Sequence, residues 1–245
     1  VVVGLGEQLP SNRDHETKHS ARGRDVGHRP WEGRAPVMQL ADEIRSQRPE
    51  RIGVLGGTFD PPHIGHLAAS VNVRWSLGLD RVLLVVANDP WQKRGSRTLS
   101  SAADRLALVA AAAVGLDGIE ADDREIRRGG ASYTADTVAE LRSESPSAAL
   151  FVVVGRDAAA GLPTWERAAE LAASTTFAVV DRPPDVGRAV PTGPVAPPGF
   201  RVVEVDMPQL AVSSTLIRSR VAAGRPIDFL TTEGVRSEID DRRLY

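Results

Sequence analysis

The sequence predicts an α/β fold: a doubly wound parallel sheet with helices on both faces, followed by C-terminal helices. Two observations carry this. From residue 51 onward, short apolar runs alternate with stretches whose apolar residues recur at helical spacing. The runs at 81–87 and 149–154 are apolar without interruption, as expected of strands covered on both faces. Alternation of this kind builds right-handed crossovers, which gather the loops after the strands along one sheet edge, where α/β proteins bind ligands.

In chain order, residues 51–56 read as the first strand. Ile64, Leu67, Ala68, Val71 and Trp75 recur at helical spacing, so 63–77 is a helix. Residues 81–87 are the second strand. Residues 101–114 are a helix opened by Ser101-x-x-Asp104, which resembles a capping box. Residues 118–121 form a short strand and 134–142 a helix. A strand over 149–154 is followed by a helical stretch within 156–173 and a strand over 176–181. Residues 183–199 hold six prolines and three glycines and form an irregular connection. The last strand is 200–205, and helices over 213–223 and 232–243 follow. Residues 1–37 are polar and nearly free of large apolar side chains, so they cannot bury enough surface to offset their ordering entropy. The expected organisation is an N-terminal extension over 1–50, mostly disordered, with Met38 as an alternative start, and one domain over 51–245. No internal repeat is visible.

Composition narrows the function. The 245 residues suffice for one ample domain, and 42% apolar with 25% charged is ordinary for a soluble protein. A net charge of −2 gives no sign of wholesale nucleic-acid binding. No apolar run approaches the roughly 20 residues needed to cross a bilayer. Cysteine is absent, which excludes disulfides and thiolate catalysis and fits a cytoplasmic protein. The oligomeric state is not legible.

The chemistry concentrates in Gly56-Gly57-Thr58-Phe59-Asp60-Pro61-Pro62-His63-Ile64-Gly65-His66. Of five histidines, His15, His19 and His28 lie in the polar leader, so the folded body places both its imidazoles here. Gly56 and Gly57 are expected to let the backbone turn sharply, and Pro suits a first helical turn. A strand, a glycine turn and a helix N-terminus form an anion site, because free N–H groups and the helix dipole both favour phosphate. At i and i+3 the two imidazoles share a face; helix position discourages their protonation and bound phosphate encourages it. Two surface histidines near a turn are the bland alternative. Zinc would want three or four ligands, and no metal site is expected.

A second cluster is Ser213-Ser214-Thr215-x-x-Arg218 at a helix start. Any of these hydroxyls could serve only as a cap, but with Arg218 one turn further in they suit a polyphosphate. Asp157, after the 149–154 strand, can accept ribose hydroxyls or simply cap a helix. Trp165 suits stacking on a flat ring, or packing in a core. Lys93, in the loop after the second strand, can reach a phosphate or remain solvated.

These motifs together resemble the nucleotidylyltransferase superfamily, and the Asp-Pro-Pro-His form with Ser132-Tyr133-Thr134-x-Asp136-Thr137 resembles the bacterial nicotinate-nucleotide adenylyltransferases. The resemblance spans about 51–243 and implies a Rossmann-like fold. It implies transfer of an adenylyl group from ATP to nicotinate mononucleotide, giving deamido-NAD and pyrophosphate, with Mg²⁺ bound with ATP. It implies that His63, His66 and Arg218 are catalytic and that Ser213, Ser214 and Thr215 hold the β- and γ-phosphates. Gly57, Thr58 and Phe59 would line the nucleotide cleft through their backbone, and Asp157 would meet a ribose. Thr134 would receive the nicotinate carboxylate, Trp165 would stack on the pyridine, and Lys93 would help with phosphates. Arg156 departs from the pattern by placing a bulky cation before Asp157. With no cysteine and no Ser–His–Asp pattern, direct in-line attack is the simpler chemistry. Alternatives are a preference for nicotinamide mononucleotide, phosphopantetheine or a cytidylyl donor, and a non-catalytic nucleotide-binding regulator. A hydride-transferring oxidoreductase is disfavoured, because no G-x-G-x-x-G fingerprint is present.

Overall fold

The structure, a computed structural model, describes residues 48–89, 99–181 and 197–245. The polar leader, most of the 183–199 connection and Lys93 lie outside the described residues. Six parallel strands form one sheet: β1 (Arg51–Gly57), β2 (Arg81–Val86), β3 (Ile119–Asp122), β4 (Ala149–Gly155), β5 (Thr176–Val180) and β6 (Arg201–Val205). Their spatial order is β3-β2-β1-β4-β5-β6. The helices are α1 (Ile64–Leu77), α2 (Ala102–Ala113), α3 (Arg124–Arg128), α4 (Thr134–Glu144), α5 (Arg156–Ala159), α6 (Ala168–Ser174), α7 (Ser214–Ala222) and α8 (Glu233–Arg242). This is the Rossmann-like, doubly wound arrangement that the alternation of signals predicts.

The unbroken apolar strands have a direct cause. Leu84 and Val86 of β2 enter a core cluster with Leu67 and Val73 of α1, Leu108 and Val109 of α2, Ile217 of α7, and Val235 and Ile239 of α8. Leu83 and Val85, one residue out of phase, enter the opposite cluster with Val138 and Leu141 of α4 and Leu171 of α6. Both faces of the strand are therefore buried, and a polar residue at any of these positions would lose its water. Each such Val or Leu contributes about 1.5–3 kcal/mol by its burial.

Two local expectations change. The single helical stretch within 156–173 is three pieces: α5, a 3₁₀ turn over Leu162–Thr164, and α6. Pro163 cannot continue an α-helix, and Arg167 adopts a left-handed backbone (φ +50°) just before α6. The one-turn helix α3 is additional. Its Arg124 and Glu125 are buried: Arg124 pairs with Asp122 (2.8 Å) and Glu144 (3.2 Å), and Glu125 accepts from the Thr137 hydroxyl (2.6 Å). These bonds fix α3 against α4, whose first residue is Thr134.

Candidate active site

The strand order reverses between β1 and β4, which are paired neighbours. Chains leaving their C-terminal ends run outward in opposite directions, which opens a crevice at that edge. Gly57 and Asp157 stand at the two sides of it.

From Gly57 the chain passes through Thr58, Phe59, Asp60, Pro61 and Pro62 into α1, with a cis Asp60–Pro61 bond. The left-handed residue of this turn is Phe59 (φ +50°); neither Gly56 nor Gly57 has a positive φ. The expectation that the two glycines make the turn is corrected accordingly. Gly57 is needed for space: a Cβ there would sit 2.8 Å from the Phe59 ring. That ring is buried and meets His66 edge-on, with centroids 5.0 Å apart.

Side chains from distant elements hold the carbonyls of this turn. Arg105 Nη1 donates to Thr58 O (3.0 Å), Arg218 Nη1 to Asp60 O (2.7 Å), Ser214 Oγ to Pro61 O (2.7 Å) and Thr231 Oγ1 to Pro62 O (2.9 Å). The Ile64 amide then donates to Leu230 O (3.0 Å). Rotation of the turn would break several of these bonds together, so its position is closely defined.

His63 is the N-cap of α1 and His66 is its third residue. Their rings stack with centroids 3.7 Å apart and planes 25° off parallel. His66 Nδ1 accepts from the His63 amide (3.2 Å). A neutral His66 therefore carries its proton on Nε2, a donor on the far side of the ring. Gly65 is small for a reason: a Cβ there would lie 3.0 Å from the His63 ring and 3.3 Å from Val212.

The second motif reaches the same turn. Ser213 caps α7 by accepting from the Leu216 amide (3.1 Å). Thr215 Oγ1 accepts from Arg218 Nη2 (3.1 Å), while Arg218 Nη1 holds Asp60 O. Arg218 thus links the tip of α7 to the turn that carries both imidazoles. Two helix N-termini, two imidazoles and one guanidinium share this neighbourhood, and all of them favour anionic oxygen.

Asp157 lies exposed in α5, immediately beyond β4. Arg156, the bulky departure, turns toward β5 and β6: its Nη2 donates to Asp181 (3.0 Å) and Glu204 (2.7 Å). The guanidinium holds the Asp181 carboxyl below its ordinary value, chiefly through their hydrogen bond. Thr134 opens α4, and Trp165 is half-buried, edge-on to Phe177 at 6.2 Å. Asp136 accepts from Arg167 Nη2 (2.7 Å), so the start of α4 is tied to the segment after Trp165. Thr134 and Trp165 therefore sit on connected elements of the second helical layer, separate from the α1–α7 cradle. Ser132 Oγ accepts from the Asn88 amide (2.9 Å), which ties the residues just after β2 to the approach to α4.

Sequence reasoning missed Arg105, Thr231 and Tyr245, and treated Asp60 only as a turn residue. Arg105 carried a legible signal, as a cation inside the apolar stripe Arg105, Leu108, Val109, Ala112. Tyr245 Oη donates to Asp60 Oδ1 at 2.6 Å, a contact across 185 positions that no local pattern reveals.

A sheet reversal flanked by such a cradle is the arrangement of nucleotide-handling α/β enzymes, and the comparisons define the class. The model of the cytidylyltransferase-like family matches residues 54–220, and the chain belongs to that family. Its curated relatives narrow it to the nicotinate-nucleotide adenylyltransferase branch. A Corynebacterium kroppenstedtii protein named "Probable nicotinate-nucleotide adenylyltransferase" is 40% identical, over 80% of this chain and 90% of its own length. One of the same name from Exiguobacterium sibiricum is 43% identical, over 80% of this chain and 98% of its own. The Plasmodium falciparum nicotinic acid mononucleotide adenylyltransferase, solved with NaAD, superposes with a TM-score of 0.62 at 17% identity. It covers 80% of this chain and 97% of that one, which supports the fold.

Proposed function

We propose that this chain transfers the adenylyl group of ATP to nicotinate mononucleotide, giving deamido-NAD and pyrophosphate in NAD biosynthesis. One observation carries the reading. Arg218 is bonded to Asp60 in the same turn that runs on into the stacked imidazoles of His63 and His66, in a chain related to nicotinate-nucleotide adenylyltransferases over most of its length.

The mononucleotide's 5′-phosphate is already anionic at neutral pH and needs no general base. Its oxygen attacks the α-phosphorus of ATP, the bond from that phosphorus to the β-bridging oxygen breaks, and pyrophosphate leaves with the electron pair. The obstacle is bringing two polyanions together, so alignment and charge stabilisation supply the acceleration. Alignment alone is worth about 7–11 kcal/mol. His63 and His66 donate to ATP phosphate oxygens, the His66 donor being Nε2. Arg218, Ser213, Ser214, Thr215 and the N–H groups at the tip of α7 hold the β- and γ-phosphates. The backbone of Gly57, Thr58 and Phe59 lines the cleft, and Asp157 accepts ribose hydroxyls. Thr134 and the amides at the start of α4 receive the nicotinate carboxylate, with Trp165 against the pyridine. Lys93 is assigned to phosphate by its place in the sequence.

Among the described residues no group of three or more His, Asp or Glu could hold a metal ion. Mg²⁺, implied by the likeness to this enzyme family, would arrive on the ATP phosphates as part of the substrate and would there neutralise charge on the leaving group.

Pyrophosphate release tests the reading. Release is expected with ATP plus nicotinate mononucleotide, and at a lower rate with nicotinamide mononucleotide or phosphopantetheine. A higher rate with either competitor would overturn the substrate, and none with any acceptor would overturn the activity.

A further inference from the structure

We infer that Tyr245 is a positioning residue for this reaction: its hydroxyl, bonded to the buried Asp60 carboxylate, holds the turn that presents His63 and Arg218. The inference rests on the proposed adenylyl transfer and adds a residue outside both motifs.

Asp60 is 1% exposed and is gripped at two ends. Its carbonyl accepts from Arg218 Nη1 (2.7 Å) and its Oδ1 accepts from Tyr245 Oη (2.6 Å). The carbonyl bond aims the guanidinium, and the carboxylate bond fixes the rotation of the residue that supplies the carbonyl. Three positions later the same turn delivers His63. A hydrogen bond to a buried carboxylate is among the stronger kinds. Its loss frees the rotation of Asp60 and so loosens the carbonyl that aims Arg218 at substrate phosphate.

The tyrosine is itself held in place. Helix α8 ends at Arg243 with a left-handed backbone (φ +52°), and the Leu244 amide donates back to Ile239 O (3.0 Å). That pairing, with Arg243 N to Asp240 O (3.2 Å), is a helix-terminating Schellman turn, and it redirects the chain toward Asp60. Arg242 Nη1 meets Asp104 of α2 (2.9 Å), and Leu244 and Tyr245 pack on the core cluster. Burial, and then the Asp60 carboxylate, push the phenol of Tyr245 above its ordinary value, so it stays a proton donor throughout the working pH range.

The test is Tyr245→Phe, which keeps the ring and removes the oxygen. Expected for the folded variant are an ATP dissociation constant raised about tenfold by calorimetry and kcat/KM for ATP lowered by about the same factor. The KM for the mononucleotide should stay within about twofold of wild type. In a cycle with Asp60→Asn, the double variant should be no worse than Asp60→Asn alone. If Tyr245 merely staples α8, the variant loses thermal stability while ATP binding well below its midpoint is unchanged, and that result overturns the inference. Losses that multiply in the double variant overturn it as well. ATP affinity is read without an acceptor, so failure of the substrate assignment is a separate outcome; should Asp60→Asn not fold, the affinity of Tyr245→Phe decides alone.

Discussion

The imidazole of His66 is oriented by its own helix: Nδ1 takes the His63 amide, and the ring leans on Phe59 below and His63 beside it. In the proposed reaction, a side chain locked this way would present Nε2–H without reorganising as charge develops on ATP, which is where preorganised donors act most strongly. Replacing His66 by Ala is therefore expected to lower kcat by about 10²–10³-fold. The variant should remain folded by circular dichroism, because α1 is anchored independently through Leu67 and Val73. Steady-state pyrophosphate release checks it; near-wild-type turnover would remove the imidazole from the mechanism. At this scale the sequence was legible where a residue type is rare. Two histidines in the folded body point to one place. It was less legible where geometry decides: the positive φ falls on Phe59, and Gly57 is set by the ring lying over it.

Elements were legible to within a few residues where apolar periodicity was strong, as in α1, β2, α2 and β4. They were not where charge is buried. Helix α3, Arg124-Glu125-Ile126-Arg127-Arg128, has no apolar periodicity, so the sequence marks no element there, and its Arg124 and Glu125 are inside, paired with partners up to 20 positions away. Arg105 of α2 is the sharper case. It is 2% exposed and donates to Thr58 O, Ala87 O (2.6 Å), Asn88 O (3.1 Å) and Ser100 O (3.1 Å). One guanidinium thus ties the exits of β1 and β2 to the start of α2. Arg105→Leu keeps bulk and removes every donor. At about 1–3 kcal/mol for each buried carbonyl left unbonded, a loss of about 3 kcal/mol or more is expected. Urea unfolding checks it, and a change below about 1 kcal/mol would mean that water replaces the side chain there.

Over the whole molecule, the parallel doubly wound sheet followed from alternation alone, and the cleft at its reversal follows from the strand order. What alternation cannot carry is which loops converge, since that depends on helices packed from the far end of the chain. Ligand linkage probes the assembled cradle as a unit. ATP with Mg²⁺ at 100 times its dissociation constant is expected to stabilise the fold by about 2.7 kcal/mol, a rise of roughly 5–10 °C in midpoint. Arg218→Ala should abolish most of that rise at the same ATP concentration. Thermal unfolding followed with and without nucleotide checks it, and an undiminished rise would place ATP elsewhere.

The carbonyl clasp around residues 58–62 also has a bearing on how the chain reaches its working state. Its bonds from Ser214, Arg218 and Thr231 span 153, 158 and 169 positions, and the Tyr245 bond to the Asp60 carboxylate spans 185. Contacts so remote close slowly, after local helices and neighbouring strand pairs have formed. Recovery of ATP binding on refolding is therefore expected to trail recovery of the helical signal, because a chain with its sheet formed but these four bonds still open would not yet hold the turn that leads into His63 and His66.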